Sequence, residues 1–222
     1  MRDYIETNNI VVVIENIGSV GHEKFDEVNA SPFEVGYFAA RTVLMELMSV
    51  WSTPIASSLA IFNPKYYDEY IQGVKKAFYE VKIDIPLIST TETNFAMKQS
   101  AISITLIGNN SNLKDIDKTK LSYGVIGNPV VGSQVLKSNI VSLAEFCKIA
   151  NDNNIKYILP VGSQGIRQEF ENNLGIKIKT CSLDLDTSAG PSTAIIIGYT
   201  NEEEIISSYD QFTKIEVIND FC

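Results

Sequence analysis

"SPFEVGYFAARTVLMELMSVWSTPIA", Ser31 to Ala56, decides how the rest of the chain divides. It opens on helix-start signals: Ser31 as the cap, Pro32 at the first helical position, and Glu34 placed to complete a capping box. The pattern predicts a long helix from there to about Val50, and "PIASSLAIF" after it reads as a strand. Inside the helix, Glu46 shares a stripe with Ala39, Thr42, Val43, Ser49 and Val50. Burying a carboxylate without a partner is costly, so two readings stand. Glu46 is either an edge-of-core acid paired with a base such as Arg41, or a metal ligand.

Working outward, "IVVVIEN" (Ile10 to Asn16) is β-branched and reads as a buried strand, followed by the glycine-bearing loop "IGSVGHEKFDEV". "YYDEYIQGVKKAFYEV" reads as an amphipathic helix and "IDIPLIS" as a strand. The hydroxyl-rich loop Ser89 to Thr93 comes next, and then the alternating strand "SAISITLIG". The polar stretch Asn109 to Lys120 marks a boundary, placing one domain at 1–118 and a second at 119–222. Beyond it, "LSYGVIG", "IKYILPVG", "IKIKT", "TAIIIGY" and "TKIEVI" read as strands. "SLAEFCKIANDNN" and "SQGIRQEFENN" read as helices, and "NEEEIISSYD" continues the alternation. Two mixed α/β (α+β) halves of similar size are expected.

Composition limits the partners. A formal charge of −9 disfavours nonspecific adhesion to nucleic acid or an anionic membrane, but not a nucleotide whose phosphates arrive with magnesium. Cys147, Cys181 and Cys222 have no CxxC spacing and read as reduced thiols. No apolar run reaches membrane-spanning length, and the N-terminus has no apolar signal core. A soluble, cytoplasmic protein is expected.

Glu15 ends the first strand, just before the loop that holds Gly18 and Gly21, and Asp26 follows these glycines. Strand-end acids around a glycine loop suit magnesium, which takes a few carboxylates plus water and phosphate oxygens. They equally suit a plain turn with solvated acids. His22, the single histidine, is a surface residue or a proton carrier. Glu92, flanked by Thr91 and Thr93, either caps its own loop or adds to an acidic pocket. In the second half Gly162, Ser163 and Gly165 stand between a strand and a helix start, where free N–H groups can hold an anion. The turn lacks the lysine of a P-loop, which excludes a Walker motif. Gly190-Pro191 reads as a structural turn.

The order of these pieces resembles the superfamily of AIR synthase, thiamine-phosphate kinase and selenophosphate synthetase. Gly36, Glu46 and Pro54 stand at the places of its signature helix, and "ISTTETNF" is similar to its second acidic loop. Within that superfamily, "STTETNFAMKQSAISITLIG", "IGNPVVGSQVL", "ILPVGSQGIRQE" and "SAGPSTAIIIGY" resemble the AIR synthase-related branch that includes α-ribazole kinase. The resemblance implies an N-terminal domain that dimerises through its sheet and binds ATP and magnesium, with a shortened C-terminal α/β domain closing over the substrate. Carried over by position, Glu15, Asp26, Glu46 and Glu92 would hold the metal, with Asp26 or His22 taking a proton. Gly18, Gly21, Thr91 and Thr93 would face the nucleotide, and Gly162, Ser163 and Gly165 the substrate side. Glutamates stand at 15 and 46 where the superfamily commonly has aspartates. The implied activity is an ATP-dependent small-molecule kinase acting on α-ribazole or a similar nucleoside, in cobalamin biosynthesis. The alternatives are an AIR synthase-like enzyme activating an amide or carbonyl, or a non-catalytic nucleotide-binding paralogue.

Overall fold

The computed structural model describes residues 4–109 and 117–218, and these form two compact units, one from each stretch. Most of the polar stretch Asn109 to Lys120 lies outside the described residues, as does Cys222. The first unit runs β1 (Tyr4–Thr7), β2 (Ile10–Gly18), β3 (Val20–Gly21), β4 (Val28–Asn29), α1 (Pro32–Met48), β5 (Thr53–Ile61), α2 (Tyr67–Glu80), β6 (Leu87–Thr91) and β7 (Ala101–Asn109). Its main sheet has the order β1-β2-β7-β5-β6. Only β5 and β6 pair in parallel within it, joined by α2, while β3 and β4 form a separate short parallel pair.

Period-two burial sets one face of this sheet inward. Val11, Val13, Leu59, Ile61, Ile102, Ile104 and Leu106 are all buried. α1 begins as the sequence predicts: the Ser31 hydroxyl accepts from the Glu34 N–H at 3.2 Å, and the Glu34 carboxylate accepts from the Ser31 N–H at 2.7 Å. Gly36 and Gly73 allow α1 and α2 to cross closely. A side chain on Gly36 would overlap the Tyr70 carbonyl, and one on Gly73 the Phe33 carbonyl. The other sheet face is apolar and open: Ile5, Ile14 and Ile88 are 70%, 58% and 72% exposed.

Two elements depart from the sequence reading. β1 was not expected; it pairs antiparallel with β2 through Asn8 and Asn9, at φ 50° and 63°, the left-handed backbone that a two-residue hairpin turn needs. β6 begins at Leu87 rather than at Ile83, since Pro86 has no N–H to give a ladder and contributes only its carbonyl, which accepts from Ser57. Ser89, Thr90 and Thr91 are therefore strand residues, not loop.

The second unit runs β8 (Ser122–Gly127), α3 (Leu143–Asn151), β9 (Ile155–Pro160), α4 (Gly165–Leu174), β10 (Ile178–Thr180), β11 (Ala194–Tyr199), α5 (Glu202–Ser208) and β12 (Phe212–Val217). Its sheet order is β10-β12-β8-β11-β9, antiparallel throughout. β11, "AIIIGY", is buried along its whole length between β8 and β9. Tyr123, Val125, Leu159, Ile166, Phe170 and Ile196 fill one core. The Tyr123 and Phe170 rings meet edge to face at 5.1 Å. Gly175, at φ 68°, ends α4 in the left-handed cap.

Candidate active site

Registers bring four chain segments to one end of the first sheet. Gly18 lies opposite Ala101, Ile61 opposite Ile102, and Ile61 also beside Thr91. The carboxyl ends of β2, β5 and β6 therefore open together, the place where ligands bind on parallel strands of open sheets. Backbone bonds stitch this edge: Glu92 N–H to the Ile61 carbonyl at 3.1 Å, and Phe62 N–H to Ala101 at 3.0 Å.

The glycine-bearing segment is folded against this edge. Ser19, at φ 59°, donates its N–H to the Ser100 carbonyl, and its own carbonyl accepts from Glu27 and Val28. The Asp26 carboxylate accepts from the Glu23 N–H, the Ser100 N–H and the Ser100 hydroxyl, each at 2.7 Å. Gly21 makes room for this: a Cβ there would overlap the Ser100 hydroxyl and lie 2.8 Å from Asp26 Oδ2. A flexible glycine loop was expected, and an internally bonded one is found. Gly18, by contrast, faces open space.

Neighbouring polar groups complete the surface. Glu23 accepts from Asn63 at 2.8 Å, and the exposed His22 ring meets Tyr66 edge-on at 6.1 Å. The Lys65 ammonium lies 4.5 Å from the centre of the Tyr66 ring. Tyr67 and Ser89 share a hydroxyl–hydroxyl bond of 2.6 Å. Glu92 Oε1 caps its own turn, accepting from Asn94 at 2.5 Å and Phe95 at 3.3 Å, with Thr91 half-buried and Thr93 exposed beside it. Glu15 sits three residues before the end of β2, on the face of Val11 and Val13, half-buried and accepting from the Asn16 N–H at 3.0 Å.

Glu46 is elsewhere. It lies 14 residues after Pro32, about 21 Å along the α1 axis at 1.5 Å per residue. The next residue, Leu47, packs at Gly108, the far end of β7 from Ser100. The expected meeting of Glu46 with Asp26 and Glu92 does not occur within the chain. Among the described residues no three His, Cys, Asp or Glu side chains gather as a metal site. Arg41, the base weighed as its partner, is buried; burial draws its pKa down to about 10, against the pull of Tyr37 and Glu80. Tyr37 donates to Glu80 at 2.8 Å, and burial followed by that bond pushes its pKa up to about 12.

In the second unit, the turns after β8 and β9 and before β11 share one sheet end, since Ala194 pairs with Gly127 and Ile195 with Pro160. Here Gly162, Ser163 and Gly165 form the expected strand-to-helix turn, but part of its donor set is used. The Arg167 N–H goes to the Leu185 carbonyl at 2.9 Å, and the Gly165 N–H to Gly162 at 3.4 Å. Gly165, at φ 77°, is packed against the Leu185 and Thr187 carbonyls. The buried Glu169 turns a carboxylate oxygen toward Gly162. Gly190-Pro191 is a structural turn as read, with the Thr193 hydroxyl accepting from the Val130 N–H at 3.0 Å.

Asn63, Lys65, Tyr66 and Ser100 were not foreseen. The Asn-Pro-Lys-Tyr run directly after the strand "PIASSLAIF" was the available signal for the first three.

No protein-family model matches the chain, and no curated protein matches it. Solved structures do. Thiamine monophosphate kinase from Aquifex aeolicus aligns over 99% of this chain and 88% of its own, with a TM-score of 0.66 and 12% identity. AaThiL complexed with AMPPCP and TMP covers 96% and 83% at a TM-score of 0.64 and 11% identity. Hydrogenase maturation protein HypE in complex with ATP covers 95% and 77% at 0.62 and 13%. At such identities the likeness is one of architecture. Among the described residues no helix is long and apolar enough to cross a membrane. The two units thus share the AIR synthase-like fold of thiamine monophosphate kinase and HypE.

Proposed function

We propose that the chain is an ATP-dependent enzyme of the AIR synthase-like kind. Its finer reading is a kinase passing the γ-phosphoryl group of ATP to an alcohol of a nucleoside-like small molecule such as α-ribazole. The observation that carries this reading is the convergence of the β2, β5 and β6 carboxyl ends with polar side chains from three separate segments. The fold supports it, since structures sharing that fold are described with AMPPCP and with ATP.

The acids at this sheet end do not form a three-carboxylate cage, but magnesium does not require one. It is commonly held by one or two carboxylates together with substrate phosphates and water. Glu92 is the proposed carboxylate, and magnesium would supply charge neutralisation at the phosphates; Glu15, three strands away in the order β2-β7-β5-β6, is too far to share the ion. Glu46 is not part of this proposal. Thr91, Thr93 and the Gly18 backbone face the phosphate side, and His22 takes the hydroxyl proton. The acceptor oxygen attacks the γ-phosphorus as the bond to ADP breaks, a reaction carried mostly by positioning and charge stabilisation. In the second unit, Ser163 is the proposed anion contact.

Incubating the purified protein with ATP, magnesium and α-ribazole tests the reading; mass spectrometry should find a phosphorylated nucleoside and stoichiometric ADP. One second reading is a nucleotide-binding protein without turnover, since among the described residues no three acids gather. Tight ATP binding with no ADP release across nucleoside acceptors would select it.

The open face bearing Ile5, Ile14 and Ile88 is proposed to pair with a second copy of the chain. Ile14→Asp should shift sedimentation from dimer to monomer, whereas a wild-type monomer would remove the pairing.

A further inference from the structure

Ser100 is 1% exposed and immediately precedes β7. All three of its polar groups are used on one segment: its carbonyl accepts from Ser19, while its N–H and hydroxyl both donate to Asp26. Asp26 then accepts the Glu23 N–H, and Gln99 adds a bond of 2.6 Å from its side chain to the Phe25 carbonyl. The segment closes on itself through Ala30 N–H to the Gly21 carbonyl at 3.3 Å. From this clasp the two residues His22 and Glu23 reach across to Tyr66 and Asn63 at the exit of β5.

We infer that Ser100 is a positioning residue: acting through Asp26, it fixes the Ser19–Ala30 segment so that His22 and Glu23 are held at the carboxyl end of β5. Burial keeps Ser100 itself away from any ligand. A carboxylate that accepts from two backbone N–H groups and one hydroxyl is a strong fastener, because bonds to a charged acceptor are the strong ones. Gly21 is the sequence condition for it, since any side chain there would displace the Ser100 hydroxyl. The segment is therefore a preformed platform, not a lid. The catalytic consequence rests on the ATP-dependent reading above; the clasp itself does not.

The test uses the full chain with magnesium and ATP, water serving as acceptor, and compares wild type with Ser100→Ala, Asp26→Asn and the double variant. In Ser100→Ala, amide hydrogen exchange at Glu23, Glu27, Val28 and Ala30 should rise about tenfold. Amides inside α1 and β7 should keep their wild-type rates. The kcat for ATP turnover should fall by roughly tenfold or more while KM for ATP moves less than about twofold. The double variant should be no worse than the more severe single one, because both break one unit. Unchanged exchange in the segment, or a KM rise with kcat intact, would overturn the inference, as would additive losses. If Ser100→Ala does not fold, Ser100→Cys keeps the size with a weaker donor and should show the same pattern at smaller amplitude. A wild type that neither binds ATP nor turns it over with a nucleoside acceptor would overturn the ATP reading alone, and the exchange measurements would still judge the clasp.

Discussion

The molecule contains two glycine-bearing turns that read alike in sequence, Gly18 to Asp26 in the first unit and Gly162 to Gly165 in the second, and they are built differently. The first is held from outside by Ser100, which leaves His22 and Glu23 facing groups from other segments. The second is packed from within: Gly165 lies against the Leu185 and Thr187 carbonyls, the Gly162 carbonyl accepts from Ala189, and the Arg167 N–H that follows goes to Leu185. Glycine spacing shows only that the backbone must pass through a narrow place. Whether a ligand or the protein's own chain fills that place depends on residues far away in sequence.

The contrast breaks most sharply at the glycines themselves. Gly21→Val should destabilise the first unit by about 3 kcal/mol, as overpacking against fixed neighbours does. Gly18→Ala, whose added Cβ would meet nothing within 4 Å, should change stability by no more than about 0.5 kcal/mol. Urea unfolding followed by the fluorescence of Trp51, the single tryptophan and a residue of the first unit, measures both. Equal effects at the two positions would mean that the Gly21 cradle is not occupied as described.

Alkaline titration separates the two units next. In the second unit, burial pushes Tyr123 and Tyr199 up to about 12, and raises Tyr209 as well. A raised folded-state pKa means that the unfolded chain loses its proton first. The stabilisation from these hydroxyls is full below pH 10 and is lost as pH rises toward 12. Tyr37 behaves the same way in the first unit, but Arg41 opposes it. With its pKa lowered from 12.5 to about 10, the cost of burying the Arg41 charge is relieved as pH passes 10. The second unit should therefore unfold first above pH 10, seen as loss of circular dichroism and a rise in tyrosinate absorbance before Trp51 fluorescence changes. The reverse order would show that Arg41 gains nothing by losing its charge.

Much of the architecture was legible because local chemistry decided it. The capping box at Ser31 and the apolar runs of β2, β7 and β11 each carry their own signal. β1 was missed because four mixed residues become a strand only through the Asn8–Asn9 turn. The candidate site was less legible. Helical periodicity places Glu46 on the inner face of α1 but says nothing about which end of the sheet that turn meets. Ser100 and Asp26 stand 74 residues apart, so no spacing links them; only the registers of β2 and β7 do.

The smallest effect concerns the second turn and asks whether it retains any anion-binding character. Glu169 brings a buried negative charge next to Gly162, at the amino end of α4 where a helix otherwise favours anions. Glu169→Gln keeps the size and removes the repulsion. If the donors near Ser163 still face outward, the affinity of this unit for inorganic phosphate should rise about two- to fivefold, the scale of a single charge at a helix end. Phosphate titration followed by the amide shifts of Ser163 and Gln164 reads this directly. Identical titrations for both proteins would mean that the chain between Leu185 and Ala189 already does what an anion would do, and that Ser163 has no part in binding substrate.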